Sequence, residues 1–168
     1  MKHIIIVLSI VSVLAACQQG GEATSVDPVN WNSKKIELND SDSLARGSSY
    51  LAVYSEIYQR SEGLTYDLTT TVSIRNISST DSVFILRADY FNTKGDPIRT
   101  YFDYPIVVQP LETIEIVIDE ADKTGGSGAN FIFDWATPPG AHEPFFEAVM
   151  ISTTGQQGLS FTTQGIKR

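Results

Sequence analysis

Few residues of this chain could carry chemistry, and their spacing limits what that chemistry could be. His142 is the only histidine besides His3. It lies in Pro138-Pro139-Gly140-Ala141-His142-Glu143-Pro144, a proline-rich connection ill suited to holding an imidazole rigid. No Gly-x-Ser-x-Gly elbow supplies a serine for a triad, so a solvent-exposed loop histidine is expected. Asp119, Glu120 and Asp122 cluster just before Gly125-Gly126-Ser127-Gly128-Ala129-Asn130. Several carboxylates beside a glycine-rich loop could hold Ca²⁺, which wants many oxygen ligands, although the spacing is not that of an EF-hand. Acidic residues at a strand exit are more often simply solvated. The glycine run lacks the Gly-Lys-Ser/Thr that a phosphate loop requires, and it runs into Phe131-Ile132-Phe133, a strand and not a helix. Its glycines are expected to serve a tight connection or a close backbone approach, or to form a nest for a small anion. Asp119, Glu120, Asp122, Gly125, Gly126 and Asn130 therefore make the candidate ligand-binding set. Asp134 and Glu147 could work as a carboxylate pair on a sugar. Tyr50, Tyr54 and Tyr58 are expected on one face of the first strand, with Tyr101 and Tyr104 grouped later. Such aromatics serve recognition or ordinary sheet packing.

Cys17 is the sole cysteine, and its setting is specific. Lys2 and His3 are followed by an apolar run from Ile4 to Leu14, then by Leu14-Ala15-Ala16-Cys17. A short basic start, an apolar stretch too short to span a bilayer and small residues before a cut describe a leader. The Leu-Ala-Ala-Cys ending resembles the lipobox of bacterial lipoproteins, which implies cleavage after Ala16 and multiple acylation of Cys17. One acyl chain holds a protein only marginally, and two or more make a stable anchor. Residue 18 is Gln and not the Asp that resembles an inner-membrane retention signal. The expected location is the cell envelope, on the outer membrane facing the periplasm if the host has two membranes. Acylation would leave no thiol, so thiol nucleophiles, iron–sulfur sites and disulfides drop out together.

Charge removes another class. The chain carries 12 Lys and Arg against 20 Asp and Glu, a formal charge of −8, and cleavage would also remove Lys2. Nucleic-acid binding rests on basic contacts to phosphate, so no nucleic-acid partner is expected, and no cofactor is called for.

The elements that must position these residues have a period of two. Residues 18–47 are rich in Gly, Ser, Asn, Asp and Gln and read as a flexible tether of roughly 30 Å root-mean-square span. Within it Trp31, Ile36 and Leu38 could pack on the domain. From residue 48 to 168 the chain alternates. Leu64, Tyr66, Leu68, Val72 and Ile74 form one inward set; Phe84, Leu86, Ala88 and Tyr90 form another. Ile114, Ile116 and Ile118 follow, then Phe131, Phe133 and Trp135, then Val149 and Ile151. Turn-forming runs separate these sets, at Asn76 to Asp81, Asn92 to Pro97, Gly125 to Gly128 and Gly155 to Gly158. The expected fold is an all-β, immunoglobulin-like antiparallel β-sandwich of roughly seven to nine strands, without the Cys-Trp-Cys hallmark.

Leu68 to Asn76 (LTTTVSIRN), Tyr101 to Pro110 (YFDYPIVVQP), Gly125 to Trp135 (GGSGANFIFDW), Glu147 to Ile151 (EAVMI) and Gly155 to Phe161 (GQQGLSF) together resemble the bacterial domain of unknown function 3124 family of exported proteins and lipoproteins. The resemblance covers about residues 50–166. It implies a shared fold and export, and transfers no activity or site residue. The expected function is a non-enzymatic, lipid-anchored envelope module that binds a protein partner or envelope complex. The alternative is a small-ligand or carbohydrate module with Ca²⁺ at Asp119, Glu120 and Asp122. A concave pocket lined by Asp119, Asp122, Asn130 or Glu147 would favour the ligand, a flat apolar patch the protein partner.

Overall fold

The computed structural model describes residues 30–39, 43–155 and 157–168; the leader expected over residues 1–16, and Cys17, lie outside the described residues. One short helix, α1 (Trp31–Lys34), precedes twelve described strands: β1 (Ala45–Val53), β2 (Glu56–Tyr58), β3 (Thr65–Asp67), β4 (Thr69–Arg75), β5 (Val83–Phe91), β6 (Pro97–Phe102), β7 (Ile106–Val108), β8 (Thr113–Ile118), β9 (Ala129–Thr137), β10 (Phe145–Ser152), β11 (Leu159–Gln164) and β12 (Ile166–Lys167). A six-stranded sheet has the order β12-β1-β9-β5-β6, with β7 also paired to β5, and a four-stranded sheet has the order β11-β10-β4-β8. All the pairings are antiparallel, and the two sheets form an immunoglobulin-like β-sandwich without closing into a barrel. β2 and β3 make a separate hairpin.

Aromatic side chains weld the sheets. Tyr90 of β5 stacks on Phe131 of β9 at 4.8 Å, Phe131 on Phe133 at 5.3 Å, and Phe133 on Phe146 of β10 in the facing sheet at 4.4 Å. Fully buried aromatics of this size are the largest single contributions to a core. Trp135 continues the β9 row, and its indole N–H donates to Ser49 Oγ at 3.0 Å. The ring can reach Ser49 because Gly47 lies between: a Cβ at Gly47 would fall 2.3 Å from the indole.

The register differs from the alternation in the sequence at three places, each for a physical reason. On β5 the buried residues are Val83 and Ile85, then Ala88 and Tyr90, while Phe84 and Leu86 are only half-buried. A register shift against β9 between Ile85 and Arg87 inserts one residue, and a bulge of one residue reverses which parity faces inward. On β10 the inward residues are Phe146, Ala148 and Met150, and Val149 and Ile151 face out. The run from Leu64 to Ile74 is two strands, β3 and β4, in different sheets, with Leu64 exposed. Ile114, Ile116 and Ile118, and Phe131, Phe133 and Trp135, are buried as the sequence indicates.

Part of the segment ahead of β1 packs on the sandwich. Trp31 is buried and its ring lies 4.8 Å from that of Phe102. Lys34 forms an ion pair with Glu112, Lys35 bridges Ile106, and Ile36 N–H donates to the Pro105 carbonyl at 3.0 Å.

Because β1 begins opposite the end of β9 (Ala45 with Thr137), the sandwich has two distinct ends. One carries the turns 76–82, 109–112 and 138–144. The other carries the β2–β3 hairpin, the turns 92–96 and 119–128, and residues 153–155 after β10.

Candidate functional site

The candidate set falls at the hairpin end, but its side chains do not converge. Asp119 closes its own turn: its Oδ1 accepts the Ala121 N–H at 2.8 Å, and its carbonyl accepts the Asp122 N–H at 2.9 Å. Glu120 turns the other way and accepts from Thr154 Oγ1 at 3.3 Å. Asp122 points inward and is buried. Its Oδ2 accepts from Arg99 Nη2 at 3.1 Å, and its Oδ1 caps Thr124 N–H at 3.2 Å and the Thr124 hydroxyl. Among the described residues, no three His, Cys, Asp or Glu side chains come together to hold a metal ion.

Arg99 is the member that sequence reasoning missed, and Tyr101, expected only in an aromatic group with Tyr104, is its neighbour. Both lie on β6, and Arg99 Nη1 donates to Tyr101 Oη at 3.0 Å. Partial burial works to lower the Arg99 pKa, but the contacts to Tyr101 and Asp122 outweigh it and hold the guanidinium more firmly charged than usual. The β6 alternation could have placed Arg99 and Tyr101 on one side. Asp122, the partner of Arg99, lies more than twenty residues away, and nothing local marks the pairing.

The glycine-rich loop is a structural tie. A Cβ on Gly125 would fall 2.0 Å from Tyr90 Oη, 2.7 Å from Ser55 Oγ and 2.8 Å from Ala129 Cβ, so only glycine fits. The Gly125 carbonyl accepts from Thr93 N–H at 3.0 Å and from Thr93 Oγ1 at 3.1 Å, and the Gly126 carbonyl accepts from Ser55 N–H at 3.0 Å. Gly126 has φ +72°. Three turns are thereby stitched together over Tyr90, whose hydroxyl shares a buried 3.0 Å hydrogen bond with Ser55. Burial pushes the Tyr90 phenol up to about 12. Lys123, beside the loop, pairs with Asp67 of the hairpin at 2.7 Å. Asn130, half-buried on β9, sits between Ala52 and Phe91.

The other candidates are dispersed. Asp134 and Glu147 lie on different sheets, each alternating with inward neighbours (Phe133 and Trp135; Phe146 and Ala148). They therefore occupy opposite outer faces of a sandwich whose sheets pack about 10 Å apart, and no sugar could lie between them. Glu147 instead meets Arg75 at 3.4 Å. Tyr50, Tyr54 and Tyr58 do not form one strip: Tyr50 is on β1, Tyr54 packs on Phe161 at 5.6 Å, and Tyr58 is exposed on β2. Tyr101 packs on Phe131, while Tyr104 is 6.2 Å from Phe102 and lies under Lys35. His142 is exposed.

Two outer faces remain. On the β1-β9-β5 face, Arg87 pairs with Asp89, which also accepts from Thr100 Oγ1 at 2.6 Å. Partial burial opposes ionisation of Asp89, but these two donors keep its carboxyl below its ordinary range. A cleft of about 360 Å³ on this sheet is lined by Arg46, Gly47, Leu86, Asp134 and Trp135 and includes none of the six ligand candidates. The β11-β10-β4-β8 face differs in kind. Across it run Thr162, Val149, Thr71 and Val117 in register, with Ile151 between Ser160 and Thr69 in the next row. This strip has no charged side chain, and Glu147, Arg75 and Glu115 border it.

Residues 46–167 match the family model "Protein of unknown function (DUF3124)", and the chain belongs to that family. No curated protein matches it. The solved structure "Crystal Structure of Thermotoga maritima 1070" is similar with a TM-score of 0.43 at 10% identity, over 71% of this chain and 94% of that one.

Proposed function

We propose that this protein is a non-catalytic module of the cell envelope, anchored through acylated Cys17, that holds a protein partner on the outer face of its four-stranded sheet. The observation that carries the reading is the uncharged strip of Thr162, Val149, Thr71, Val117 and Ile151, with Ile151 41% exposed. Valine and isoleucine among neutral hydroxyls, with charge kept to the border, match the charge depletion of a protein interface's centre. The opposite face differs in carrying the Arg87–Asp89 ion pair at its centre, among half-buried Tyr50, Leu86 and Ile132. The side chains that could have bound a small ligand, Asp122 above all, are instead engaged in holding turns together.

The test has two arms. Cys17→Ser should lose acylation and leave the membrane fraction; unchanged mass and retention would refute the anchor. A photo-crosslinking residue at Val149 or at Val117 should give one adduct of common mass in intact cells, absent from a probe at Arg87 and abolished by Thr71→Arg. Equal crosslinking from both faces, or none, would refute the docking face. Turnover of esters, glycosides or phosphoesters by the purified protein would refute the non-catalytic reading.

A further inference from the structure

At the end opposite the glycine loop, two large apolar side chains are held out on a rigid base. The Glu112 N–H donates to the Gln109 carbonyl at 3.0 Å, closing a turn whose third residue is Leu111, with φ 60°. A turn that needs positive φ there takes glycine or asparagine, and Leu111 is the only non-glycine residue with positive φ among those described. Leu111 is nevertheless 68% exposed, so no burial offsets the backbone strain. Its N–H donates to the Ser78 carbonyl at 3.0 Å, which sets it beside Ile77, itself 51% exposed. The base is stiff. Asn76 Nδ2 donates to the carbonyls of Asp81, Val108 and Gln109 at 2.7, 3.0 and 3.0 Å, and its Oδ1 accepts the Ser78 N–H at 2.9 Å. A strained residue kept by such an over-determined surround points to a use for its side chain.

The course of the chain names the occupant. Helix α1 lies along the β7 edge beside this end, with Lys34 paired to Glu112, one residue from Leu111. Residues 18–29, between Cys17 and Asn30, can reach at most about 40 Å. Any bilayer that holds Cys17 is thus within that distance of Asn30, from which the described chain enters along this edge. Lys34 and Lys35 stand here, where anionic headgroups would favour them, with Glu112 paired to Lys34 and the Asp81 carboxylate held by the Ser78 and Thr80 hydroxyls. Apolar side chains on an anchored protein settle into the boundary between headgroups and acyl chains.

We infer that Ile77 and Leu111 rest in the lipid surface, so that the sandwich stands with its 76–82 and 109–112 turns on the membrane and its glycine-loop end pointing away. This orientation rests on the anchor reading of Cys17. It is tested on the full acylated chain in vesicles of phosphatidylethanolamine and phosphatidylglycerol, with a nitroxide attached to Ile77→Cys, Leu111→Cys or, at the far end, Lys94→Cys. On reconstitution, collisions with a water-soluble nickel chelate should fall several-fold at 77 and 111 and stay unchanged at 94. Equal access at all three positions, or protection at 94 alone, in a chain whose mass shows acylation would overturn the orientation and leave the anchor standing. A parent chain that takes up the thiol label at Cys17 and carries no acyl mass would overturn both.

Discussion

The two ends of the sandwich spend their unusual residues in opposite ways. At the glycine-loop end, the loop and its carboxylate are turned inward and satisfied: Gly125 admits the Tyr90 hydroxyl, Asp122 meets Arg99, and Thr93 and Ser55 take up the loop carbonyls, while the exposed Tyr58 and Leu64 of the neighbouring hairpin sit on ordinary backbone. At the other end the hydrogen-bonding base around Asn76 is just as complete, yet what it supports is an exposed Ile77 and a strained, exposed Leu111. Glycine where only glycine fits lowers the energy of the fold. Leucine where glycine or asparagine would fit better raises it. The first end is therefore built for stability, and the second gives up some stability for the surface it presents.

That contrast breaks most sharply at Gly125. Gly125→Ala places a methyl group inside the contact radius of Tyr90, Ser55 and Ala129. Overpacking of this kind, at a site fixed by three turns, should cost about 3 kcal/mol. The check is a fall in the urea midpoint at constant m-value. A loss below about 0.5 kcal/mol, the range of ordinary surface changes, would mean that the loop is free to move and would reopen its reading as a binding loop.

Asp122→Ala should come next. It leaves Arg99, a third exposed, without its buried partner and uncaps Thr124. Removing one partner of a buried pair costs 3–5 kcal/mol when both are enclosed, so about 2 kcal/mol is expected with Arg99 partly solvated. Calcium titration into the parent chain should leave its melting temperature unchanged, because Asp119, Glu120 and Asp122 point three different ways.

Tyr90 adds a pH signature to the same end. Its native pKa is raised from 10.0 to about 12 by burial, so the native state resists an ionisation that the unfolded chain accepts. The contribution is complete below pH 10 and is lost as the pH climbs towards 12. Tyr90→Phe should begin about 1 kcal/mol less stable at neutral pH through the lost Ser55 hydrogen bond. It should then lose less than the parent between pH 10 and 12, so that the gap closes and reverses before pH 12, which urea unfolding at each pH would show. Parallel curves would place the alkaline limb elsewhere.

The sequence made the fold class legible because period-two alternation survives wherever one face is clearly polar, as in Thr113-Ile114-Glu115-Ile116. It misplaced Val149 and Ile151 because Phe145-Phe146-Glu147-Ala148-Val149-Met150-Ile151 is apolar on both parities, and only the pairing with β4 settles which side is inward. It misplaced Leu86 because a bulge leaves no mark in composition. The glycine loop was legible as a close approach, since four small residues before a strand admit few other uses. Its partners Tyr90, Ser55 and Thr93 were not, because each comes from a different element. At the opposite end the reverse held: Gln109-Pro110-Leu111-Glu112 contains neither glycine nor asparagine, so nothing in it announces a residue at positive φ.

Leu111 is where the contrast can be sharpened by a change of opposite sign. Leu111→Asn keeps the turn, places a residue tolerant of left-handed backbone at φ 60° and loses little packing from a side chain 68% exposed. The left-handed conformation costs an ordinary residue roughly 1–2 kcal/mol, and asparagine should recover part of that, a gain of about 0.5–1 kcal/mol. Urea unfolding should therefore show a higher midpoint, while the nitroxide at Ile77→Cys becomes more accessible to nickel in vesicles. A variant more stable in solution yet less protected at the membrane is what the trade at this end requires. If Leu111→Asn were instead destabilised, the leucine would be making a packing contribution that its exposure does not reveal, and the two ends would be built on the same principle after all.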